Sequence, residues 1–540
     1  FHEGTYLYPI VSWLERKLGI SVGDSSHEKK ARLQSAFQDA GDQRLALLGS
    51  LLGINQQLLP PLPLSPKRQR DLTQEAVIWL LEEEAGHGPY FCIVEDLHWC
   101  DPSTLELLGQ LIREPVAGTL LAVTYRPGFQ HRWQELEHIE LGQIPAQEAE
   151  RIVRSADPHG VLPDETVQQI VERADGIPLF MEELTQTVLS AQQNLPAGTS
   201  TQPARIPSSL RDSLFARLDR LPHGKSVAQL AAVIGRDFSR QLIEEVWPGR
   251  HEDLQTGLHE LTGSGLLERH RNNRRFMYTF KHALIRDTAY ESLLMRKREQ
   301  FHLVIGSVIE DKFSHLARAR PEVVAYHFTA GLEYSRALNY WQLSSRMAQQ
   351  KSAHVEAVEH LQKALNCLGL AQSVPDRDEL KLKLLNQQGA SLVAIKGYAS
   401  SSVGNTYKEA LRMCHQIDNP TIQFDALQGL WAFYLVRGDL ERARDAADEL
   451  AQIAINVDQP DLMMEAMLRQ GISFSMLGDL HGAREKFEWV ISLYDPERDH
   501  EHRMEFGQDP MVSCLCHFSL VLWLLGHPDQ ALARSQEALE

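Results

Sequence analysis

The chain has 540 residues, and at about 100–200 residues per domain that length predicts several domains. Apolar residues make up 43% and charged residues 23%, a globular composition that excludes disordered, collagen-like and low-complexity classes. With 54 Lys plus Arg against 72 Asp plus Glu the net charge is −18, which argues against a nucleic-acid clamp along the chain, because counterion release needs clustered cations.

The chain opens on Phe1 without a start methionine or a charged-then-apolar leader, so this end is expected to be a cut edge and the chain a fragment. Residues 1–190 mix helical periodicity with short β-branched runs, as in an α/β domain. Pro60–Pro66 is expected as a surface loop before a helix around Leu72–Glu84. Tyr90-Phe91-Cys92-Ile93-Val94 is a continuous apolar run and predicts a central parallel strand buried on both faces. Ser103–Ile112 follows with helical spacing, and Thr119–Thr124 predicts a second strand, so strand, helix and strand form one crossover unit of a doubly wound sheet. Further on, Asp175-Gly176-Ile177-Pro178-Leu179-Phe180 opens a helix with proline near its start.

Residues 191–205 turn to Pro, Gly, Ser and Thr and predict a linker. Residues 206–300 read as four helices, Ser208–Leu221, Lys225–Gly235, Arg240–Trp247 and Leu254–Ser264, then a hairpin that turns through Asn272-Asn273 into Phe276, Tyr278 and Phe280. Helices followed by a basic hairpin suggest a winged helix. From 301 to 540 helix dominates, punctuated by Gly438-Asp439-Leu440, Gly478-Asp479-Leu480 and Gly526-His527-Pro528, each opening a small-residue helix. The spacings, 478 − 438 = 40 and 526 − 478 = 48, predict a degenerate α-solenoid of tetratricopeptide type. The fold class expected is thus α/β followed by all-α. Six scattered cysteines suggest a reducing compartment, and no apolar run reaches the roughly 18 residues that cross a bilayer, so a cytoplasmic chain is expected.

The chemistry concentrates where the first strand runs into Glu95-Asp96. Acids at the carboxyl end of a parallel strand lie where ligands of open α/β sheets bind, and there they can hold Mg²⁺ through water and orient an attacking water. This is a Walker B arrangement, with Glu95 for the metal and Asp96 for the water, or the reverse, since the usual order is Asp then Glu. Arg126, at the tip of the second strand, can reach a terminal phosphate as a sensor. Gly176 and Pro178 bring backbone and a rigid ring close to a planar base. No G-x-x-x-x-G-K-[ST] phosphate loop occurs, and Gly224-Lys225-Ser226 is a decoy, because it follows a helix and has Asp219 where the first glycine must be. Cys514 and Cys516 are two apart on a helix and make a poor chelate, His500 and His502 are expected on a solvated loop, and neither H-E-x-x-H nor G-x-S-x-G is present. Leu266–Gln300 carries nine Lys/Arg against four Asp/Glu, a cationic face that could touch DNA or equally face solvent or the nucleotide domain.

Three stretches carry a family resemblance: Val94–Leu108 (VEDLHWCDPSTLELL), Gly176–Leu184 (GIPLFMEEL) and Phe280–Tyr290 (FKHALIRDTAY), joined by Gly507–Pro510 and Trp523–Leu532 in the tail. Over essentially the whole chain these residues resemble the STAND class of P-loop ATPases, signal-transduction ATPases with numerous domains, and in particular the ATPase plus tetratricopeptide region found beside bacterial class III adenylate/guanylate cyclase domains. The resemblance implies part of a P-loop ATPase sheet with its small helical portion in 1–190, a winged-helix domain in 206–300 and tetratricopeptide-like repeats in 301–540. It implies ATP or ADP with Mg²⁺ as ligands, Glu95 and Asp96 as Walker B, Arg126 as sensor, Pro178 as the base-contacting proline, and His282 as the histidine that approaches the β-phosphate of ADP. Protein partners on the repeats are implied, with a cyclase domain in cis and self-association left open; nucleic acid and membrane are not. The P-loop and the cyclase domain are expected upstream. The alternatives are a transcriptional regulator with a DNA-binding output and a non-hydrolysing repeat scaffold.

Overall fold

The computed structural model describes residues 5–20, 24–60, 62, 64, 66–130, 133–193, 209–272, 275–414, 419–495 and 509–539. The chain divides into two compact units, residues 1–61 with 75–337, and residues 62–74 with 338–540.

Helices α1 (Tyr8–Lys17), α2 (Ser26–Ala36) and α3 (Gly41–Leu51) precede α4 (Pro66–Gly86). The fourth helix starts inside the stretch expected as loop, because proline lacks only an N–H that the first helical turn leaves unpaired anyway. Strand β1 (Tyr90–Val94), helix α5 (Pro102–Arg113) and strand β2 (Thr119–Val123) form the expected crossover, and the strands pair in parallel from Tyr90↔Thr119 to Val94↔Val123. The burial expected for β1 is not observed. Phe91 is 57%, Ile93 55% and Leu120 65% exposed, all on one face, while Cys92 and Val94 on the other are partly covered. An apolar run requires cover on both faces, and among the described residues this two-stranded sheet receives it on one.

Helices α6 (Ala146–Ala156), α7 (Asp164–Ala174) and α8 (Pro178–Gln193) share a core of Val153, Ile170, Phe180, Met181 and Leu184. Then come α9 (Leu210–Asp219), α10 (Gly224–Ile234), β3 (Asp237–Ser239), α11 (Arg240–Val246), α12 (His251–Gly263), β4 (Leu267–Asn272), β5 (Arg275–Phe280) and α13 (Ala283–Glu291). The four expected helices and the hairpin are present; the turn at 273–274 lies outside the described residues, as does the linker expected at 191–205 from residue 194 onward. Strand β3 adds a third, antiparallel strand in the order β3-β5-β4. Three residues are too short for a period-two signal, and what holds β3 is Phe238, stacked 5.6 Å from Tyr278. Helices α14 (Met295–Lys312), α15 (Ser314–Ala319) and α16 (Pro321–Ala330) complete the first unit, and α17 (Tyr334–Gln350) runs out of it.

The second unit is helical: α18 (His354–Leu370), α19 (Arg377–Lys396), α20 (Ser401–Cys414), α21 (Pro420–Val436), α22 (Leu440–Val457), α23 (Pro460–Leu477), α24 (Leu480–Leu493), α25 (Pro510–Leu524) and α26 (Pro528–Glu537). The hairpins turn where the glycines predicted. Gly438, Gly478 and Gly526 have φ of 76°, 90° and 85°, the left-handed region that ends a helix without a Cβ clash. Glycines inside the helices let neighbours approach: a Cβ on Gly471 would lie 2.7 Å from the Phe487 ring, and Cβ atoms on Gly389 and Gly429 would meet the Tyr407 ring at 2.5 and 2.4 Å. Among the described residues no helix is long and apolar enough to cross a membrane.

Candidate functional site at the tips of the parallel strands

The parallel register ends at Val94↔Val123, so Glu95-Asp96 and Thr124-Tyr125-Arg126 leave the sheet side by side. Backbone bonds fix this edge: Thr124 N–H donates to Val94 O at 3.0 Å and Leu97 N–H to Thr124 O at 2.9 Å. Asp96 turns the chain there with φ 57° and ψ 50°, a left-handed conformation that Asp tolerates better than most residues, and its N–H donates to Thr124 Oγ1 at 3.0 Å. A short 3₁₀ turn, Leu97–Trp99, follows.

Glu95 is exposed and Asp96 half-exposed, and His98 Nε2 approaches the Asp96 carboxylate at 4.0 Å. The His98 ring packs 4.7 Å from Trp99, and the Arg126 guanidinium sits 5.3 Å from the Trp99 ring centre. The strand tips therefore gather two carboxylates, an imidazole, an indole and a guanidinium at one edge. Among the described residues no three His, Cys, Asp or Glu side chains cluster for direct ligation of a metal. Two hard oxygen donors do suit Mg²⁺, which keeps several waters and takes one or two carboxylates.

Asp101 was legible only as part of a motif, yet it organises this edge. It is 1% exposed, and its carboxylate accepts from Thr104 N–H at 2.9 Å and Thr104 Oγ1 at 2.6 Å, capping α5. The same carboxylate accepts from Leu7 N–H at 3.0 Å and Tyr8 N–H at 3.3 Å at the start of α1. Burial pushes its pKa up, against the pull of these four hydrogen bonds. An Asp before Pro-Ser-Thr is a readable helix cap; its long-range partner 94 residues away is not.

Gly176 and Pro178 lie at the entry of α8. Gly176 has φ 71°, and a Cβ there would meet Gln143 Cβ at 2.5 Å and Ile144 N at 2.9 Å, so the close approach that requires glycine is to the 143–144 backbone; Gly176 O accepts from Ile144 N–H at 3.0 Å. Pro178 is exposed at the first position of α8. His282 precedes α13, half-buried, and burial pulls its pKa down, helped by Lys281 and opposed by Glu183 and Glu182 of α8. The histidine and the helix that Pro178 opens therefore share an electrostatic neighbourhood. Glu183 is itself tied to Arg217 of α9, whose guanidinium also reaches Ser264 O.

The decoy at Gly224 is a capped helix start. Glu260 Oε2 accepts from Gly224 N–H at 2.7 Å and His223 N–H at 3.1 Å, and Lys225 pairs with Asp219, so the amides a phosphate would need already hold a carboxylate. Cys514 is buried and Cys516 exposed, on different sides of α25 as expected; His500 and His502 lie outside the described residues. In the second unit a shallow cavity of about 180 Å³ between Leu427, Leu430, Tyr434, Arg442 and Glu449 is smaller than the roughly 300–1,000 Å³ of small-molecule sites.

No protein-family model matches the sequence. The chain is 27% identical to an uncharacterised protein of Rhizobium meliloti (strain 1021) over 98% of its own length, and it spans about half, 52%, of that relative. Among solved structures, a signal transduction ATPase with numerous domains carrying a tetratricopeptide repeat sensor, from Pyrococcus horikoshii, aligns over 95% of this chain and 79% of its own at 11% identity. Its TM-score of 0.35 is too low to define a shared fold.

Proposed function

We propose that this chain is the nucleotide-switch and scaffold portion of a STAND-type signalling ATPase. The observation that carries the reading is the parallel β1–β2 pair delivering Glu95, Asp96 and Arg126 to one edge, where ligands of α/β sheets bind. Mg²⁺ with ATP or ADP is the proposed ligand; bound there, the ion would neutralise phosphate charge. Glu95 and Asp96 would hold it through water, Arg126 would meet the terminal phosphate, and Gly176, Pro178 and His282 would serve base and β-phosphate. Phosphate cradling needs a loop that residues 1–540 lack. The uncovered face of Phe91, Ile93 and Leu120 is where further sheet and helices bearing that loop would pack. ATP would favour an active state and hydrolysis would restore the ADP state.

The helical hairpins are proposed as the surface for protein partners, and a nucleotide cyclase domain in cis as the output. A DNA-binding output is the weaker reading, because α12, the helix that would enter a groove, carries Glu252 and Asp253 in its first turn. The test is Mg²⁺-dependent binding of a fluorescent ATP analogue by the full-length protein. Glu95→Ala with Asp96→Ala is expected to weaken Mg²⁺-dependent binding at least tenfold and to abolish turnover. Equal binding and turnover in the double variant and the parent would remove the chemistry from this site.

A further inference from the structure

Helix α1 touches the acid-bearing edge at one end of its contacts and the α15–α16 junction at the other. On the first side stand the two hydrogen bonds from Leu7 and Tyr8 to Asp101, five residues beyond Asp96. On the second, Arg320, at the junction, donates to Glu15 of α1 at 3.3 Å, and its guanidinium lies 5.3 Å from the Tyr8 ring centre. Thr5 Oγ1 donates to Glu322 of α16 at 2.7 Å. Tyr8 thus belongs to both contacts, its N–H on Asp101 and its ring under Arg320. Leu7, fully buried, holds a left-handed φ of 49°, which fixes how α1 leaves the Asp101 carboxylate. Arg320, Glu15 and Glu322 are each less than one-fifth exposed, so these ties are shielded from the solvent that weakens surface ion pairs.

We infer that α1 is the coupling element of the strand-tip site, and that Asp101 is its positioning residue, linking the Glu95-Asp96 edge to α15–α16. The inference rests on the nucleotide reading for its trigger and on the Asp101–Tyr8–Arg320 geometry for its route. A ligand that shifts the strand tips moves the Asp101 cap, and with it the start of α1 and the helices held by Arg320 and Glu322. Coupling of this kind is established only when perturbing one end changes the other.

Hydrogen exchange on the full-length protein supplies that measurement. Without nucleotide, Asp101→Asn, which keeps shape but loses acceptor capacity, is expected to raise exchange about tenfold both in α1 and in 314–330. Thr104→Val, which removes only the Oγ1 bond within the α5 cap, is expected to act on 101–108 alone. From the other end, Arg320→Met is expected to raise exchange in 97–105. With Mg²⁺ and ATP, the parent is expected to change at 314–330, and Asp101→Asn to lose that change while binding ATP within about threefold of the parent. If Asp101→Asn alters only 5–17 and 101–108, the coupling is overturned. Should Asp101→Asn fail to fold, Arg320→Met decides alone, and an unchanged 97–105 overturns the proposal. If no variant and no parent binds nucleotide but the nucleotide-free changes propagate, the coupling stands and the nucleotide reading of the site falls.

Discussion

The β1–β2 sheet and the helical hairpins of the second unit bury their apolar residues to opposite degrees. In the hairpins Phe424, Leu450, Met464, Phe487 and Val490 are fully buried, and helices close on one another at glycines set against aromatic rings. In the sheet, Phe91, Ile93 and Leu120 face outward. A hairpin is satisfied by the next hairpin, so its core is complete once neighbours stack. A parallel strand needs layers from distant chain on both faces, and here it has one. The carboxylates and the guanidinium of the candidate site sit on the element whose burial is incomplete, and the hairpins carry packing.

The largest expected effect tests how far the hairpin core depends on a buried ion pair. Arg469 is 2% and Glu465 0% exposed; they pair at 2.6 Å, and the guanidinium lies 5.0 Å from the Trp431 ring centre. Arg469→Met takes the guanidinium away from a buried carboxylate and is expected to cost about 3–5 kcal/mol, whereas Arg469→Met with Glu465→Leu recovers most of it. Urea unfolding followed by circular dichroism measures both; equal losses in the single and double variants would mean that packing, not charge, holds this position.

A pH titration asks the same of two helices of the first unit. His302 of α14 and His327 of α16 are buried with their Nδ1 atoms 2.9 Å apart, so one ring donates to the other, and His302 Nε2 lies 3.1 Å from the Tyr290 hydroxyl. Burial lowers His302 to about 4 and His327 well below its ordinary value. Above the unfolded value near 6.5 both states are neutral and the contribution is complete. As pH falls from 6.5 toward 4 the unfolded chain takes up protons that the folded one refuses, and stability drops by about 1.4 kcal/mol per pH unit for each histidine. His302→Gln is expected to remove one proton from that slope, about 3 kcal/mol by pH 4. An unchanged slope would locate the acid sensitivity elsewhere.

Gly429→Ala comes next. In an exposed helix this change stabilises by roughly 1 kcal/mol, but a Cβ at 2.4 Å from the Tyr407 ring reverses the sign to a loss of about 1–3 kcal/mol. Tyr407→Leu in the same chain is expected to relieve it, and a stabilised Gly429→Ala would show that the ring moves aside freely.

Local chemistry was readable in the sequence wherever cause and effect lie close together. The crossover, the hairpin through Phe276 to Phe280 and the solenoid turns at Gly438, Gly478 and Gly526 follow from periodicity and glycine. Glu95, Asp96 and Arg126 are legible as strand-end residues because the strands themselves are. What stayed hidden depends on partners distant in sequence: the second role of Asp101 at Leu7 and Tyr8, the chain segment that Gly176 must let past, the ring that Gly429 must clear, and β3, which exists only through its pairing with β5. The uncovered side of β1 is the converse case, since the apolar run registers that two faces want cover and cannot say whether residues 1–540 provide it.

The smallest expected effect returns to that face. Ile93→Thr keeps the β-branched shape, and at 55% exposure it is expected to cost under about 0.5 kcal/mol in the 540-residue chain, near the limit of measurement. In the full-length protein, if upstream sheet and helix pack there as the nucleotide reading requires, the same substitution places a hydroxyl in a core and costs about 1–3 kcal/mol. The difference between the two measurements reports directly on whether this face is covered. Equal, small costs in both would leave Phe91, Ile93 and Leu120 facing water in the intact protein, and the sheet would then lack the layer on which a phosphate loop could be carried.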